Sequence, residues 1–178
     1  YQTFEDFTYS NLFEESKVRY VYSDRNSNIW VSISNAGLVL IEPDDDAGKP
    51  RISEISNKDP YYSDLNSNVI YYIAESDDGA LWVCGENGLN LIHLKDNAFK
   101  NYSYRSARGI DFPLEVRALL NSDEGFLWVG TVGDGLKQFH LASQKFVDVP
   151  LVHRGRQIRE AIQSIIRDHK GNLWIGTE

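Results

Sequence analysis

The sequence predicts an all-β fold, a partial β-propeller of four-stranded antiparallel blades, and three observations predict it. All four tryptophans stand in one recurring element: Asn28-Ile29-Trp30-Val31, Ala80-Leu81-Trp82-Val83, Phe126-Leu127-Trp128-Val129 and Asn172-Leu173-Trp174-Ile175. Their spacings are 52, 46 and 46 residues, at or just beyond the period of about 20 to 50 residues that marks repeat architectures. Each tryptophan is also flanked by the same series of short apolar stretches and polar turns.

The first stretch of each copy is Val18-Arg19-Tyr20-Val21-Tyr22, Ile70-Tyr71-Tyr72-Ile73-Ala74, Val116-Arg117-Ala118-Leu119-Leu120 and Ile162-Gln163-Ser164-Ile165-Ile166. β-Branched and aromatic residues over about five positions favour a strand. A turn follows, at Asp24-Arg25-Asn26-Ser27, Asp77-Asp78-Gly79, Asp123-Glu124-Gly125 and Asp168-His169-Lys170-Gly171. An Asp side chain can bond the backbone of its own turn and Gly supplies a positive φ, so each copy opens with a hairpin. Ser27 replaces that Gly in the first copy, whose hairpin is expected to be the least regular.

The tryptophan strand comes next. Leu81, Trp82 and Val83 are apolar in succession, so both faces of this strand must be covered. The tryptophans are therefore expected to serve blade packing and to touch no ligand. A Gly-Leu step opens a third strand at Gly37-Leu38, Gly88-Leu89 and Gly135-Leu136. A fourth is anchored by Phe99 and Tyr102, by Phe146 and Val149, and by Ile52 and Ile55. Four strands covered on both faces by neighbouring copies describe a propeller blade.

Residues 1–178 thus read as one partial propeller: an outer strand of a preceding blade at 1–10, blades at 18–56, 69–104 and 115–150, and a half blade at 161–178. Such a segment is expected to expose strand edges and an apolar blade face, to pair with the remaining blades of its parent, and to self-associate through the cut edges when isolated.

Composition limits the function. With 42% hydrophobic and 25% charged residues the chain is ordinary globular material. A formal net charge of −8 argues against a general nucleic-acid or membrane-surface binder. The charge is uneven: 8 basic and 17 acidic residues through Lys100, 10 and 9 from Asn101 onward. Anion-binding surface is therefore expected in the second half. The single Cys84 excludes an internal disulfide and reads as a small strand residue.

Asp168 to Thr177, together with Gly125-Phe126-Leu127-Trp128-Val129-Gly130-Thr131 and the following Gly135-Leu136, resembles the two-component regulator propeller repeat. Leu65-Asn66-Ser67-Asn68-Val69 is similar to the segment that leads into the first strand in that family. Val31-Ser32-Ile33 and Val83-Cys84-Gly85 depart from its Val-Gly-Thr step. The resemblance implies the periplasmic sensor region of an inner-membrane hybrid histidine kinase of the Bacteroidetes type. It also implies downstream signalling domains and an oligosaccharide ligand, bound without catalysis and without a cofactor.

The site candidates follow from propeller geometry, in which first strands line the central channel. Arg19, Tyr71, Arg117 and Gln163 stand at equivalent places on the four first strands, beside the core residues Val18, Ile70, Val116 and Ile162. Arg105 and Arg108, then Arg154, Arg156 and Arg159, lie on the connections that follow. With Arg117 they could form a fork for the carboxylate or sulfate of an acidic sugar, and Tyr61, Tyr62, Tyr102 and Tyr104 could stack on pyranose rings.

Other constellations read as structural. Asp24 to Asn28 has half of a calcium-loop spacing but lacks the required Gly and the Glu at position twelve. His93 and His140 share one repeat position with Glu42, with no zinc-spaced partner. Asp44-Asp45-Asp46 reads as a solvated loop. No nucleophile–base arrangement emerges, and no metal site. Two alternatives stand beside ligand sensing: a protein-interaction scaffold, and a polysaccharide lyase or hydrolase.

Overall fold

The computed structural model describes residues 17–43, 50–58, 65–94, 98–102 and 114–178. The outer strand expected at 1–10 and the acidic run at Asp44 to Asp46 lie outside these residues.

Three four-stranded antiparallel sheets follow one another along the chain, each a meander in sequence order. The first comprises β1 (Val18–Ser23), β2 (Ile29–Ile33), β3 (Gly37–Glu42) and β4 (Arg51–Ile55). The second comprises β5 (Ile70–Glu75), β6 (Leu81–Gly85), β7 (Gly88–His93) and β8 (Ala98–Tyr102), and the third β9 (Val116–Asn121), β10 (Phe126–Thr131), β11 (Leu136–His140) and β12 (Lys145–Val149). A small hairpin, β13 (Val152–His153) with β14 (Arg156–Gln157), precedes a two-stranded sheet of β15 (Ile162–Arg167) and β16 (Leu173–Thr177). First strands of successive sheets pack side by side, β1 on β5, β5 on β9 and β9 on β15. This is the all-β, partial-propeller architecture that the repeat predicts.

One packing scheme operates at every junction between sheets. Trp30 is buried with Ile70, Ile73, Leu81 and Val83 of the second blade. Trp82 is buried with Val116, Leu119, Leu127 and Val129 of the third, and Trp128 packs on Ile162 and Ile165 of the fourth sheet. Each tryptophan thus faces the next first strand, at the residues 12 and 9 positions before the following tryptophan. In the first blade the equivalent residues are Val18 and Val21, and they are 51% and 56% exposed. Val18 was expected in the core; it instead lies on a blade face that no described residue covers. Trp174 faces away from β9 and β10 and is 61% exposed, whereas Trp30 is 0% exposed.

The turns are built alike, and here the first copy departs from expectation. Ser27 takes the left-handed conformation itself, with φ 64°, as do Gly79, Gly125 and Gly171. The Asp24 and Asn28 backbones close the same bond as their counterparts Ser76 with Ala80, Ser122 with Phe126, and Asp168 with Asn172. The first hairpin is therefore as regular as the others. Asp24 supports it: Oδ1 accepts from the Asn26 and Asn28 N–H groups, and Oδ2 accepts from Asn28 Nδ2 and Trp30 Nε1. Asp168 repeats the set with Lys170, Asn172 and Trp174. These bonds to Asn172 and Trp174 hold the Asp168 carboxyl down at about 2. The calcium-like spacing of Asp24 is thus a turn that anchors its own tryptophan.

Because Trp30 is fully buried against the second blade, Trp30→Ala should cost about 3–5 kcal/mol in denaturant unfolding. Trp174→Ala should cost less than about 1 kcal/mol. Equal losses at the two positions would contradict this directional packing.

Candidate functional site

The four first strands share one irregularity. Val18 pairs with Ile33 and Tyr20 with Ser32, so Arg19 is passed over. In the same way Tyr71 is passed over between Ile70 and Tyr72, Arg117 between Val116 and Ala118, and Gln163 between Ile162 and Ser164. A bulge places one extra residue on a strand, bends it and re-aims the extra side chain. The four residues that the sequence places on the channel are thus the four bulge residues.

The residues opposite the bulges explain the small residues of the family-like step. A Cβ on Gly130 would come within 2.6 Å of Ile162 Cγ2, on the first strand of the next sheet. A Cβ on Gly85 would come within 2.4 Å of the Val69 carbonyl oxygen. In the first blade Ser32 stands at the position of Gly130, and its hydroxyl donates to the Ile70 carbonyl at 2.8 Å. Thr131 Oγ1 in turn donates to the Gly135 carbonyl at 2.7 Å, tying the bulged end of the third blade to its next strand.

The bulge residues form one connected row. The Arg19 guanidinium carbon lies 5.6 Å from the Tyr71 ring centroid and that of Arg117 lies 4.8 Å from it, both within cation–π range. Arg117 Nη1 donates to Gln163 Oε1 at 3.2 Å, and Gln163 Nε2 donates to Glu178. At the other end Arg19 Nε donates to Ser34 Oγ at 3.0 Å.

Glu115 is the residue that sequence reading missed. Arg117 Nε and Nη2 approach its Oε1 at 2.8 and 2.7 Å, and it lies close enough to the Tyr71 phenol to raise its pKa. Two residues apart on an extended chain, Glu115 and Arg117 share a face, and that period was the available signal. The pairing revises the expected anion fork: two donor nitrogens of Arg117 are already met by a carboxylate. It also keeps the guanidinium charged, raising its pKa through the Glu115 hydrogen bond. The row therefore presents polar groups with both signs of charge rather than a free arginine fork.

The remaining candidates divide. Arg154 and Arg156 sit on the exposed β13–β14 hairpin and line a hollow of about 570 Å³ with His153, Glu160 and Glu178. They do not join the row, but Glu178, bonded to Gln163, borders both. Arg159 is turned to its neighbour, donating to Gln157 Oε1. Tyr102 packs 5.7 Å from Trp82 and 4.8 Å from Phe139, centroid to centroid. It is a half-buried member of the second blade junction, with only part of its ring left open. Arg105, Arg108, Tyr61, Tyr62 and Tyr104 lie outside the described residues. His93 and His140 hold equivalent, half-buried places, His140 against Phe126.

Comparison with known proteins places this geometry. The family model described as two component regulator propeller matches residues 64–87 and 158–178, the segments around the second and fourth tryptophans. The extracellular domain of a hybrid two-component system from B. thetaiotaomicron is similar in structure, with TM-score 0.71 and 22% identity over 96% of this chain and 22% of that one. A second such domain from B. thetaiotaomicron gives TM-score 0.56 and 16% identity over 93% of this chain and 31% of that one. PorZ, a surface component of the type-IX secretion system of Porphyromonas gingivalis, gives TM-score 0.65 and 13% identity over 91% and 25%. The chain therefore spans between about a fifth and a third of these structures, with which it shares a fold. No curated protein sequence matches it.

Burial and the Glu115 carboxylate raise the Tyr71 phenol above its ordinary value of 10.0, although Arg117 and Arg19 pull it down. A ¹³C NMR titration of the tyrosine ζ carbons should place Tyr71 above 10. Glu115→Gln should move it back toward 10, because the ionised acceptor is lost while both arginines remain. A midpoint at or below 10 in the unsubstituted chain would contradict the packing of the row.

Proposed function

We propose that this chain, which carries repeats of the two-component regulator propeller family, is part of the ligand-sensing extracytoplasmic propeller of a two-component sensor. Its ligand is an oligosaccharide, held at the row of bulge residues by binding alone. The observation that carries the reading is the bulge in all four first strands, which puts Arg19, Tyr71, Arg117 and Gln163 into one connected row. A repeat protein held together by apolar contacts does not need a polar residue at this place in every blade. A row of donors and acceptors with an aromatic ring within it suits a polyhydroxylated ligand.

The similar extracellular domains of hybrid two-component systems favour the extracytoplasmic side, in an inner-membrane protein whose later domains carry the signal. Acidic sugars are the favoured class. Among the described residues Arg19 has only the Ser34 hydroxyl as a hydrogen-bond partner, and Arg154 and Arg156 border the row through Glu178.

Isothermal titration of the complete propeller region with neutral and acidic oligosaccharides tests this. Saturable binding is expected, weakened about 10- to 100-fold by Arg117→Ala, in line with the loss of a charged hydrogen-bond donor. Absence of binding across the panel, or an affinity unaltered by both Arg19→Ala and Arg117→Ala, would overturn the assignment.

A further inference from the structure

The three junctions between sheets are clamped at their turns, and the clamps differ in a way the repeat exposes. Five positions before each tryptophan stands a turn residue that reaches the end of the next first strand, seven positions before the next tryptophan. At the first junction these are Arg25 and Glu75: Nε lies 2.8 Å from Oε1, and the guanidinium also donates to the Ser76 carbonyl at 2.9 Å. At the third they are Asp123 and Arg167, an ion pair of reversed polarity at 2.8 Å. At the second they are Asp77 and Asn121. Asn121 Nδ2 donates to the Glu75 carbonyl instead, so no ion pair among the described residues closes this junction.

A cleft of about 390 Å³ opens at that place. Half-buried Tyr102 and Leu91 line its inner part, over the buried rings of Trp82 and Phe139, and the exposed Asp77, Asp78 and Asn121 line its turn end. At the first junction, the hollow between the blades is about 230 Å³ and does not reach the turn that Arg25 clamps. The Asp78 Oδ1 is taken by the Ser76 hydroxyl and the Ala80 N–H. The Asp77 side chain meets no donor among the described residues, and it stands where the repeat calls for an ion-pair partner. His93 and Lys100 also line the cleft. Lys100 is on β8, two strands outward from the turn, about 10 Å at ordinary strand spacing.

We propose that this cleft between the second and third blades binds a small organic ammonium compound. Its cationic group takes the place of an arginine beside Asp77, and its apolar body lies along Tyr102 and Leu91. The open part of the Tyr102 ring with Leu91 favours an apolar stem, and the volume falls within the range of small-molecule sites. The site is separate from the row of bulge residues and does not rest on the sensing role proposed above.

The test is an NMR titration of the 178-residue chain with phenethylamine, 2-phenylethanol and phenylacetate, following the indole N–H signals. Phenethylamine should shift the Trp82 signal saturably, with a dissociation constant near or below about 10 mM for a ligand of this size. The alcohol and the acid should bind at least tenfold more weakly. Asp77→Asn should weaken the amine at least tenfold. The pair Asp77→Arg with Asn121→Glu, which rebuilds the clamp of the first junction, should abolish the shift while leaving the melting temperature undiminished. Equal binding of amine and alcohol, unchanged affinity in Asp77→Asn, or no saturable shift would each overturn the proposal.

Discussion

A blade of this protein has two apolar faces and cannot bury either by itself. Each face is covered only by the neighbouring blade, so every other feature is arranged around the junctions. The tryptophan of one blade fills the space over the first strand of the next, where Ile70 and Ile73, Val116 and Leu119, or Ile162 and Ile165 receive it. Burying a large aromatic this way accounts for much of the apolar area each junction removes from water. The turn must hold that ring in place, which is why Asp24 and Asp168 bond the indole N–H of their own tryptophans. Where Ser76 and Ser122 stand in the aspartate's place, the turn keeps its backbone bond but the tryptophan loses this tether.

Close packing of first strands has a second consequence. For Ile162 to approach β10, the residue opposite the bulge must have no side chain, and Gly130 has none. The bulge and the small residue across from it are therefore two halves of one device. It brings adjacent first strands together at the centre and turns one side chain per blade away from the pairing. What the repeat does for packing it also does for chemistry, since the residue released by each bulge is free to be Arg, Tyr or Gln.

Much of this was legible in the sequence because it is periodic. The tryptophan spacing, the Gly-Leu step and the positions of Arg19, Tyr71, Arg117 and Gln163 all follow from aligning copies. What was not legible depends on side chains meeting across blades or on a residue adopting an unusual backbone. Ser27 was expected to disturb its turn, yet it accepts a left-handed φ because Asp24 supplies the bonds that stabilise it. Tyr102 looked like a ligand platform because an aromatic near a loop has no visible partner in one dimension. Its partners, Trp82 and Phe139, are 20 and 37 residues away in the chain. Glu115 was hidden for the opposite reason: it stands two residues from Arg117 but outside the repeated pattern.

The row of bulge residues is where the proposed function would meet the fold, and locating a bound ligand tests that link most directly. A structure of the complete propeller with an oligosaccharide bound should place sugar hydroxyl or carboxylate oxygens within about 3.2 Å of Arg19 and Arg117 donor nitrogens. It should also show the Glu115–Arg117 pair shared with the ligand. A sugar bound at the blade turns or on the outer strands, with the row unchanged, would contradict it.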